Sequence, residues 1–203
     1  MKNKIIFFVN VVGLSMLMSC ATTSVGRVSS DTVTDLTGFW NDTDVKIVCE
    51  DLIAKCLENA KVKGFETKKG RLPVIIVGKF KNDSTEHIDT SIITEKMADA
   101  IINSGIAEFV ADKQEREELR EEKTAQNKEG FTSEESMKAM DQETAADFML
   151  KGSVKTIVEK AGNKTVRKYY VSAQLIDLEK NTILWKGLNE EIKKIIKTKT
   201  PKM

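Results

Sequence analysis

The stretch Tyr170–Trp185, YVSAQLIDLEKNTILW, decides the fold of this 203-residue chain. In its first part Val171, Ala173 and Leu175 are apolar, and the residues between them are polar. This period of two predicts a strand with one buried face and one polar face. The turn sequence EKNT at 179–182 and the apolar residues after it predict a second strand that pairs with the first as a hairpin.

The same period extends upstream from this hairpin. We predict strands over Phe148–Lys160, Thr165–Leu178 and Thr182–Leu188, joined by turn sequences at 161–164 and 179–182. Strands with such short connections lie side by side in a sheet. The C-terminal part of the chain is therefore predicted to form an antiparallel three-strand meander.

The preceding part of the chain has a helical period instead. Apolar residues spaced by three and four predict helices over Val45–Ala60 and Ser91–Ser104, the second ended by Gly105. Leu72–Phe80 and Ala107–Ala111 are short apolar runs of the kind that form buried strands. Together these elements predict an α/β (α+β) domain, in which helices flank a mixed sheet of about five strands.

Charged and polar segments complete the prediction. Lys113–Lys128 predicts a surface helix, and a shorter helix is predicted around Ser133–Asp141. Asp42 or Thr43 is expected to cap the first helix. Residues 190–203 form a basic tail, which we expect to be a frayed, solvated end; binding to an anionic surface such as lipid headgroups is the alternative.

The N-terminal residues have the pattern of an exported lipoprotein. Lys2 and Lys4 precede an apolar run, Ile5–Leu17, that is too short to span a membrane comfortably. The sequence LMSC, which ends at Cys20, resembles the bacterial lipobox, where the cysteine is acylated before cleavage. We expect residues 1–19 to be a signal peptide and Cys20 to carry lipid. An ordinary signal peptide, or a buried helix with a chance cysteine, is the alternative.

The segment after Cys20 is predicted to be a tether. Residues 20–36 are small and polar, and a segment of this length reaches at most about 55 Å. A single globular domain with the basic C-terminal tail is then expected over residues 37–203. Ala21, rather than aspartate, after Cys20 favours sorting to the outer membrane, with the domain on its periplasmic face.

The other two cysteines are predicted to be unpaired. If Cys49 and Cys56 lie on one helix, their Cα atoms are about 10 Å apart, which is too far for a disulfide. We therefore expect two buried thiols, although a disulfide is common in exported proteins and is the alternative.

Composition and motifs argue against several classes of function. The chain has 32 basic and 31 acidic residues, so its charge does not favour nucleic acid as a partner. His87 is the only histidine, which excludes a multi-histidine metal site and argues against a Ser-His-Asp triad. No phosphate loop or Gly-x-Gly-x-x-Gly sequence is present. We expect neither an enzyme nor a cofactor; a cell-wall hydrolase is the least favoured alternative.

Four segments carry a resemblance to a known family. They are Gly38–Asp44 (GFWNDTD), Pro73–Thr90 (PVIIVGKFKNDSTEHIDT), Ala145–Ser153 (AADFMLKGS) and the hairpin Tyr170–Trp185. In this order they resemble segments of the LpoB family of penicillin-binding protein activators, and the likeness covers about residues 36–195. The hairpin is also similar to the wider group of domains like the N-terminal domain of TolB.

The resemblance implies an outer-membrane lipoprotein that is not itself an enzyme. Such a protein binds a bifunctional class A penicillin-binding protein, a peptidoglycan synthase, and stimulates it as an allosteric cofactor. The alternative is a non-enzymatic subunit of an envelope assembly or secretion complex. The tether predicted here is short, whereas the resemblance implies a long disordered one that reaches through the cell wall.

A polar loop, Asn82–Asp89, is the expected partner-binding segment, because loops on a rigid scaffold often carry binding residues. A purely structural loop is the alternative. The candidate contact residues are Asn82, Asp83, Glu86, His87 and Asp89.

Overall fold

The computed structural model describes residues 24–29, 32–128, 132–133, 135–140 and 142–198. The predicted signal peptide and Cys20 lie outside the described residues. Contacts divide the chain into two units, Met1–Val33 and Thr34–Met203, and every helix and strand given below belongs to the second. Within the described ranges, no helix combines the length and the apolar character that crossing a membrane requires.

The first helix, α1 (Asp42–Leu57), begins with a capping box. The Asn41 side chain accepts a hydrogen bond from the Asp44 backbone N–H (3.1 Å), and the Asp44 carboxylate accepts one from the Asn41 N–H (3.0 Å). These reciprocal bonds satisfy N–H groups that have no partner within the helix. Asn41 is therefore the cap, and the prediction of Asp42 or Thr43 was wrong. The apolar face of α1 is buried, through Val45, Val48, Cys49, Leu52, Ile53, Cys56 and Leu57.

Two short helices that the sequence did not predict follow α1. They are α2 (Ala60–Lys63) and α3 (Phe65–Lys69), and Gly70 ends α3 with a φ of 71°. The chain then enters strand β1 (Val74–Val77), all four residues of which are buried. This is the centre of the apolar run that predicted a strand.

The other elements alternate between short strands and helices before the long strands begin. Helix α4 (Ser91–Ser104) ends at Gly105, as predicted, and helix α5 (Lys113–Lys128) has the predicted bounds with no buried residue. The elements are β2 (Lys81–Asn82), α4 (Ser91–Ser104), β3 (Glu108–Phe109), α5 (Lys113–Lys128), β4 (Phe148–Ala161), β5 (Lys164–Asp177), β6 (Thr182–Asn189) and β7 (Lys193–Lys197).

The helix predicted around Ser133–Asp141 is wrong for the part of this segment that the structure describes. Residues 132–133 and 135–140 contain turns instead, and the Ser136 N–H donates to the Ser133 carbonyl at 3.0 Å. This hydrogen bond spans three residues and closes a single turn.

The strands form one mixed sheet in the order β3-β1-β4-β5-β6, with β2 beside β4 and β7 beside β5. Strand β1 is parallel to both neighbours, and its residue Ile75 pairs with Phe109 and Phe148. Strands β4, β5 and β6 form the predicted antiparallel meander. The mixed sheet with its flanking helices confirms the predicted α/β (α+β) class.

The sheet has seven strands rather than about five. One of the added strands, β2, contains only two residues, which is too short for a pattern. The other, β7, lies in the segment predicted to be a frayed basic tail, and it pairs antiparallel with residues 164–168 of β5. The expectation of a frayed end was therefore wrong for Lys193–Lys197.

Helices α1 and α4 pack on the same face of the sheet and enclose the core. The inward residues of the meander, among them Leu150, Val171 and Leu175, are each at most 1% exposed. Met97 of α4 and Leu52 of α1 are buried against them to the same degree. Burial of this kind is the main favourable contribution to folding.

Cys49 and Cys56 are both free and buried, which confirms the prediction of two unpaired thiols. Burial disfavours the thiolate, and it raises the pKa of Cys49 to about 11 and that of Cys56 to about 12. These cysteines therefore behave as small apolar core residues.

Candidate partner-binding site

The predicted loop follows β2 and is held in shape by its own side chains. The Asn82 side-chain amide donates to the Glu86 carbonyl at 2.8 Å, and its oxygen accepts the Ser84 N–H at 3.0 Å. At the far end Asp89 accepts from both the N–H (3.0 Å) and the hydroxyl (2.7 Å) of Ser91, the first residue of α4. These two bonds lower the pKa of Asp89. Asn82 and Asp89 therefore hold the loop and the start of the helix.

Glu86 is the most buried side chain of the candidate set, at 6% exposure. The Tyr169 hydroxyl donates to the two carboxylate oxygens of Glu86 at 2.9 and 2.8 Å, and the backbone N–H of Trp40 donates to Oε2 at 3.3 Å. The Arg167 Nε lies 3.4 Å from Oε1, an ion pair without the alignment of a hydrogen bond. Burial, followed by the hydrogen bond to Glu86, raises the pKa of Tyr169 well above its usual value. Glu86 is thus an internal anchor of the loop.

The other two candidates are exposed to solvent. Asp83 is fixed by its backbone N–H, which donates to the Val154 carbonyl at 2.9 Å, while its side chain is free to reach a partner. His87, which follows Glu86 in the chain, is exposed, and so is Thr85, which precedes Glu86. Of the five predicted residues, the structure therefore leaves Asp83 and His87 available for contact.

A segment that the sequence analysis did not identify as part of the binding site lies next to the loop. We call Asp35–Asn41 the strap, because Lys194 of β7 fastens it. The Lys194 ammonium donates to Asp35 (2.9 Å), to the buried Asp44 (2.7 Å) and to the Phe39 carbonyl (2.9 Å). Burial works against the charge of Lys194, but the bonds to Asp44 and Asp35 outweigh it and raise its pKa.

Arg167 of β5 makes a second fastening. Its Nη1 donates to the Gly38 carbonyl at 3.2 Å, and its guanidinium lies 3.9 Å from the centre of the Phe39 ring. Stacking of this kind adds a cation–π attraction to the hydrogen bond. A Cβ atom on Gly38 would lie 2.0 Å from the Ile196 side chain, so any larger residue at 38 would require Ile196 to move.

The strap and the loop meet at a cavity of about 360 Å³. Trp40, in its wall, packs against the Tyr169 ring with centroids 5.2 Å apart. The Trp40 Nε1 is buried and has no hydrogen-bond partner among the described residues. The lining residues are Phe39, Trp40, Thr85, Glu86, His87 and Arg167. We call the exposed rim formed by Phe39, Thr85 and His87 the loop–strap surface.

Sequence patterns could have revealed part of this site. Arg167 and Tyr169 occupy the inward positions of an alternating strand, where a charged side chain requires a buried partner. Lys194 had no such signal, because it lies in a basic tail. Among the described residues, no group of three or more histidine, cysteine, aspartate or glutamate side chains is placed to hold a metal ion.

Comparison with known proteins gives the family. The model of the family described as "Peptidoglycan-synthase activator LpoB" matches residues 44–191. The chain belongs to the LpoB family. The matched range begins at Asp44, includes the whole loop Asn82–Asp89 and ends before β7. The whole strap and all of β7 therefore lie outside the part matched to the LpoB family.

Solved structures of LpoB domains are similar to this chain. The LpoB C-terminal domain from Salmonella enterica is 17% identical, with 72% of this chain and 97% of that chain covered and a TM-score of 0.43. The LpoB C-terminal domain from Escherichia coli is 15% identical, again with 72% of this chain and 97% of that chain covered, and its TM-score is 0.45. Lipoprotein GNA1162 from Neisseria meningitidis is 16% identical, with 60% of this chain and 83% of that chain covered and a TM-score of 0.37. A sequence comparison with curated proteins found no match.

Proposed function

We propose that this chain is an outer-membrane lipoprotein, anchored at Cys20 on the periplasmic face, that binds and stimulates a class A penicillin-binding protein. The observation that carries the proposal is membership of the LpoB family over residues 44–191, because that family activates peptidoglycan synthases. The LMSC sequence that ends at Cys20 supports the lipid anchor.

The proposed action is binding, not catalysis. Glu86, the buried carboxylate of the site, is already bonded to the Tyr169 hydroxyl and the Trp40 backbone N–H and paired with Arg167, which is the arrangement of a structural anchor. A protein without its own chemistry can still stimulate an enzyme by binding the active conformation more tightly than the inactive one. The size of the stimulation is then limited by that difference in affinity.

The loop–strap surface is the proposed contact with the synthase. Phe39 is 49% exposed, although it is a large apolar side chain, and Thr85 and His87 lie beside it on the cavity rim. An exposed aromatic residue surrounded by polar groups on a rigid support is typical of protein-binding surfaces. The support is rigid here because Arg167 and Lys194 hold the strap.

A glycan-polymerisation assay tests the proposal. The full chain is added to class A synthases of the same cell, and the rate is compared with that for the double variant Thr85→Ala, His87→Ala. We expect the unsubstituted chain to stimulate one synthase, and the variant to need about tenfold more protein for half-maximal effect. The matched control, Glu66→Ala with Thr67→Ala, alters two exposed residues of α3 and is expected to act like the unsubstituted chain.

Each other outcome has a definite meaning. If the unsubstituted chain stimulates none of the class A synthases, the proposed activator role is refuted. Assembly into rings without stimulation would favour the envelope-complex alternative. Full stimulation by the Thr85→Ala, His87→Ala variant would show that the loop–strap surface is not the contact, while leaving the activator role intact.

A further inference from the structure

Among the described residues, no helix covers the face of the sheet opposite α1 and α4. The inward residues of the meander pack beneath α1 and α4. In the described part of the chain, these two helices are the ones with extensive contacts to the strands. The residues that alternate with them point the other way. We call this surface the open face and define it by Lys151, Ser153, Ser172, Gln174, Lys186 and Leu188.

The open face carries a concentration of unpaired positive charge. Lys151, Gln174 and Lys186 lie side by side in the registers of β4, β5 and β6, so the two lysines stand about two strand spacings, or roughly 10 Å, apart. Lys79 and Lys81 line the same shallow groove, which has a volume of about 300 Å³.

None of these four lysines has an ion-pair partner among the described residues. The only acidic residue that lines the groove is Asp83. Because the whole chain is nearly neutral, with 32 basic and 31 acidic residues, the cluster is a local separation of charge and not a general excess.

Large apolar side chains are exposed on the same face. Leu188 is 51% exposed beside Lys186, and Ile183 of β6 is 56% exposed. Ile157, near the tip of the β4–β5 hairpin, is 53% exposed and pairs with Lys168. Lysines that surround exposed aliphatic groups suit the boundary between lipid headgroups and acyl chains, where both kinds of side chain find partners.

We propose that the open face docks on the anionic phospholipid surface of a membrane. Charge complementarity selects this occupant, because lipid phosphates are anionic and lysines near such a surface are attracted to it.

The length of the segment after Cys20 adds a second argument. Asp35, which is held by Lys194, is the fifteenth residue after Cys20, so in a chain anchored at Cys20 it stays within about 54 Å of the bilayer. A tether this short gives the bilayer a high effective concentration at the open face. This second argument rests on the proposed lipid anchor at Cys20, and neither argument rests on the proposed action on a synthase.

Lipid quenching of a fluorescent label tests this docking. The full chain, as cells process it, is reconstituted into vesicles of neutral phosphatidylcholine or of phosphatidylcholine with phosphatidylglycerol, both containing brominated lipid. Gln174→Cys places the label in the groove, and Ile102→Cys places a control label on the exposed side of α4. Cys49 and Cys56 are buried and stay unlabelled; the unsubstituted chain measures any labelling at Cys20.

We expect the label at 174 to be quenched about fivefold more on anionic than on neutral vesicles, and the difference to vanish in high salt. The label at 102 is expected to show no such difference. Reversing the charge of the groove is expected to abolish the extra quenching on anionic vesicles. This variant combines Lys79→Glu, Lys81→Glu, Lys151→Glu and Lys186→Glu. The matched control reverses the charge of four exposed lysines of α2 and α3 and is expected to retain the extra quenching. It combines Lys61→Glu, Lys63→Glu, Lys68→Glu and Lys69→Glu.

The design separates misfolding from loss of contact, because near-ultraviolet circular dichroism of each variant reports its tertiary packing. If the groove variant is misfolded, Lys151→Glu with Lys186→Glu alone takes its place. Equal quenching on the two kinds of vesicle, or equal loss in the groove and control variants, would overturn the proposal. So would protection of the label by an acidic protein partner without any effect of anionic lipid, because the open face would then be a protein interface.

Discussion

Removing the amino group of Lys194 is expected to destabilise the protein by an amount that depends on pH. The Lys194 side chain is 12% exposed, and its ammonium contacts Asp44, whose side chain is 5% exposed, at 2.7 Å. Breaking a buried ion pair by deleting one partner costs about 3–5 kcal/mol, because the other charge stays buried. The Asn41 N–H still donates to Asp44 at the start of α1 and offsets part of this cost. We therefore expect Lys194→Ala to lower the free energy of unfolding by about 2–3 kcal/mol at pH 7.

The pH dependence follows from the carboxylate that remains. Burial already raises the pKa of Asp44, and the bonds from Lys194 offset only part of this effect. In the variant that offset is lost, so the pKa of Asp44 rises further. The folded state then gains a proton at Asp44 more readily than the unfolded state, and protonation removes the buried charge. The penalty of Lys194→Ala should accordingly shrink as the pH falls from 7 towards 4.

Urea unfolding of the full chain, followed by tryptophan fluorescence, measures the difference. Lys193→Ala is the matched control, because Lys193 is the preceding residue of β7, is exposed and makes the same kind of strand pairing. Its effect should stay within about 0.5 kcal/mol. The reasoning is refuted if Lys194→Ala and Lys193→Ala unfold with the same free energy at pH 7, or if the penalty of Lys194→Ala is unchanged at pH 4.

Two further predictions concern the strap and the core. Gly38→Ala should destabilise the protein by about 1–3 kcal/mol, because its Cβ would lie 2.0 Å from Ile196. Adding Ile196→Ala should recover part of that loss in the same unfolding assay; a double variant no more stable than expected from the sum of the two single changes would contradict the contact. Cys49 and Cys56 should resist maleimide at pH 7 in the folded protein and react after denaturation, since burial raises their pKa to about 11 and 12. Mass spectrometry counts the labels, and rapid labelling of either residue in the folded chain would contradict its burial.

The periodic elements could be predicted from sequence because burial requires their pattern. Tyr170–Trp185 alternates since one face of the sheet is covered by α1 and α4 and the other is not. The spacing of apolar residues in α1 follows from the same need. The fold class followed from these elements and their order, and it is the part of the prediction that local patterns determine most directly.

Elements that depend on distant partners could not be predicted in this way. Strand β7 contains three lysines and two isoleucines, and its sequence alone resembles a solvated tail. It becomes a strand because residues 164–168 of β5 extend beyond β6 and leave their backbone groups free to pair with it. The cap of α1 differed by one residue from the prediction because Asn41 and Asp44 satisfy each other.

In the loop Asn82–Asp89, too, local sequence predicted one part of the structure and distant contacts determined the rest. Polar composition identified it as a loop, but composition does not say which polar side chains turn inward. Glu86 is taken by Tyr169, a residue 83 positions away in the chain. Asn82 and Asp89 are taken by neighbours within the loop and the start of α4. Only the three-dimensional contacts distinguish these residues from the exposed Asp83 and His87.

The strap also holds a reserve of length. Its seven residues, Asp35–Asn41, are kept folded against β5 and β7 by Arg167 and Lys194. If both contacts opened, the strap could span at most about 25 Å before α1 itself had to unwind. Tension between the proposed membrane anchor and a bound partner would act on these contacts first, because the strap is the segment through which the chain enters the domain. The reach of the protein would then be set by force on Lys194 and Arg167 as well as by the number of residues that follow Cys20.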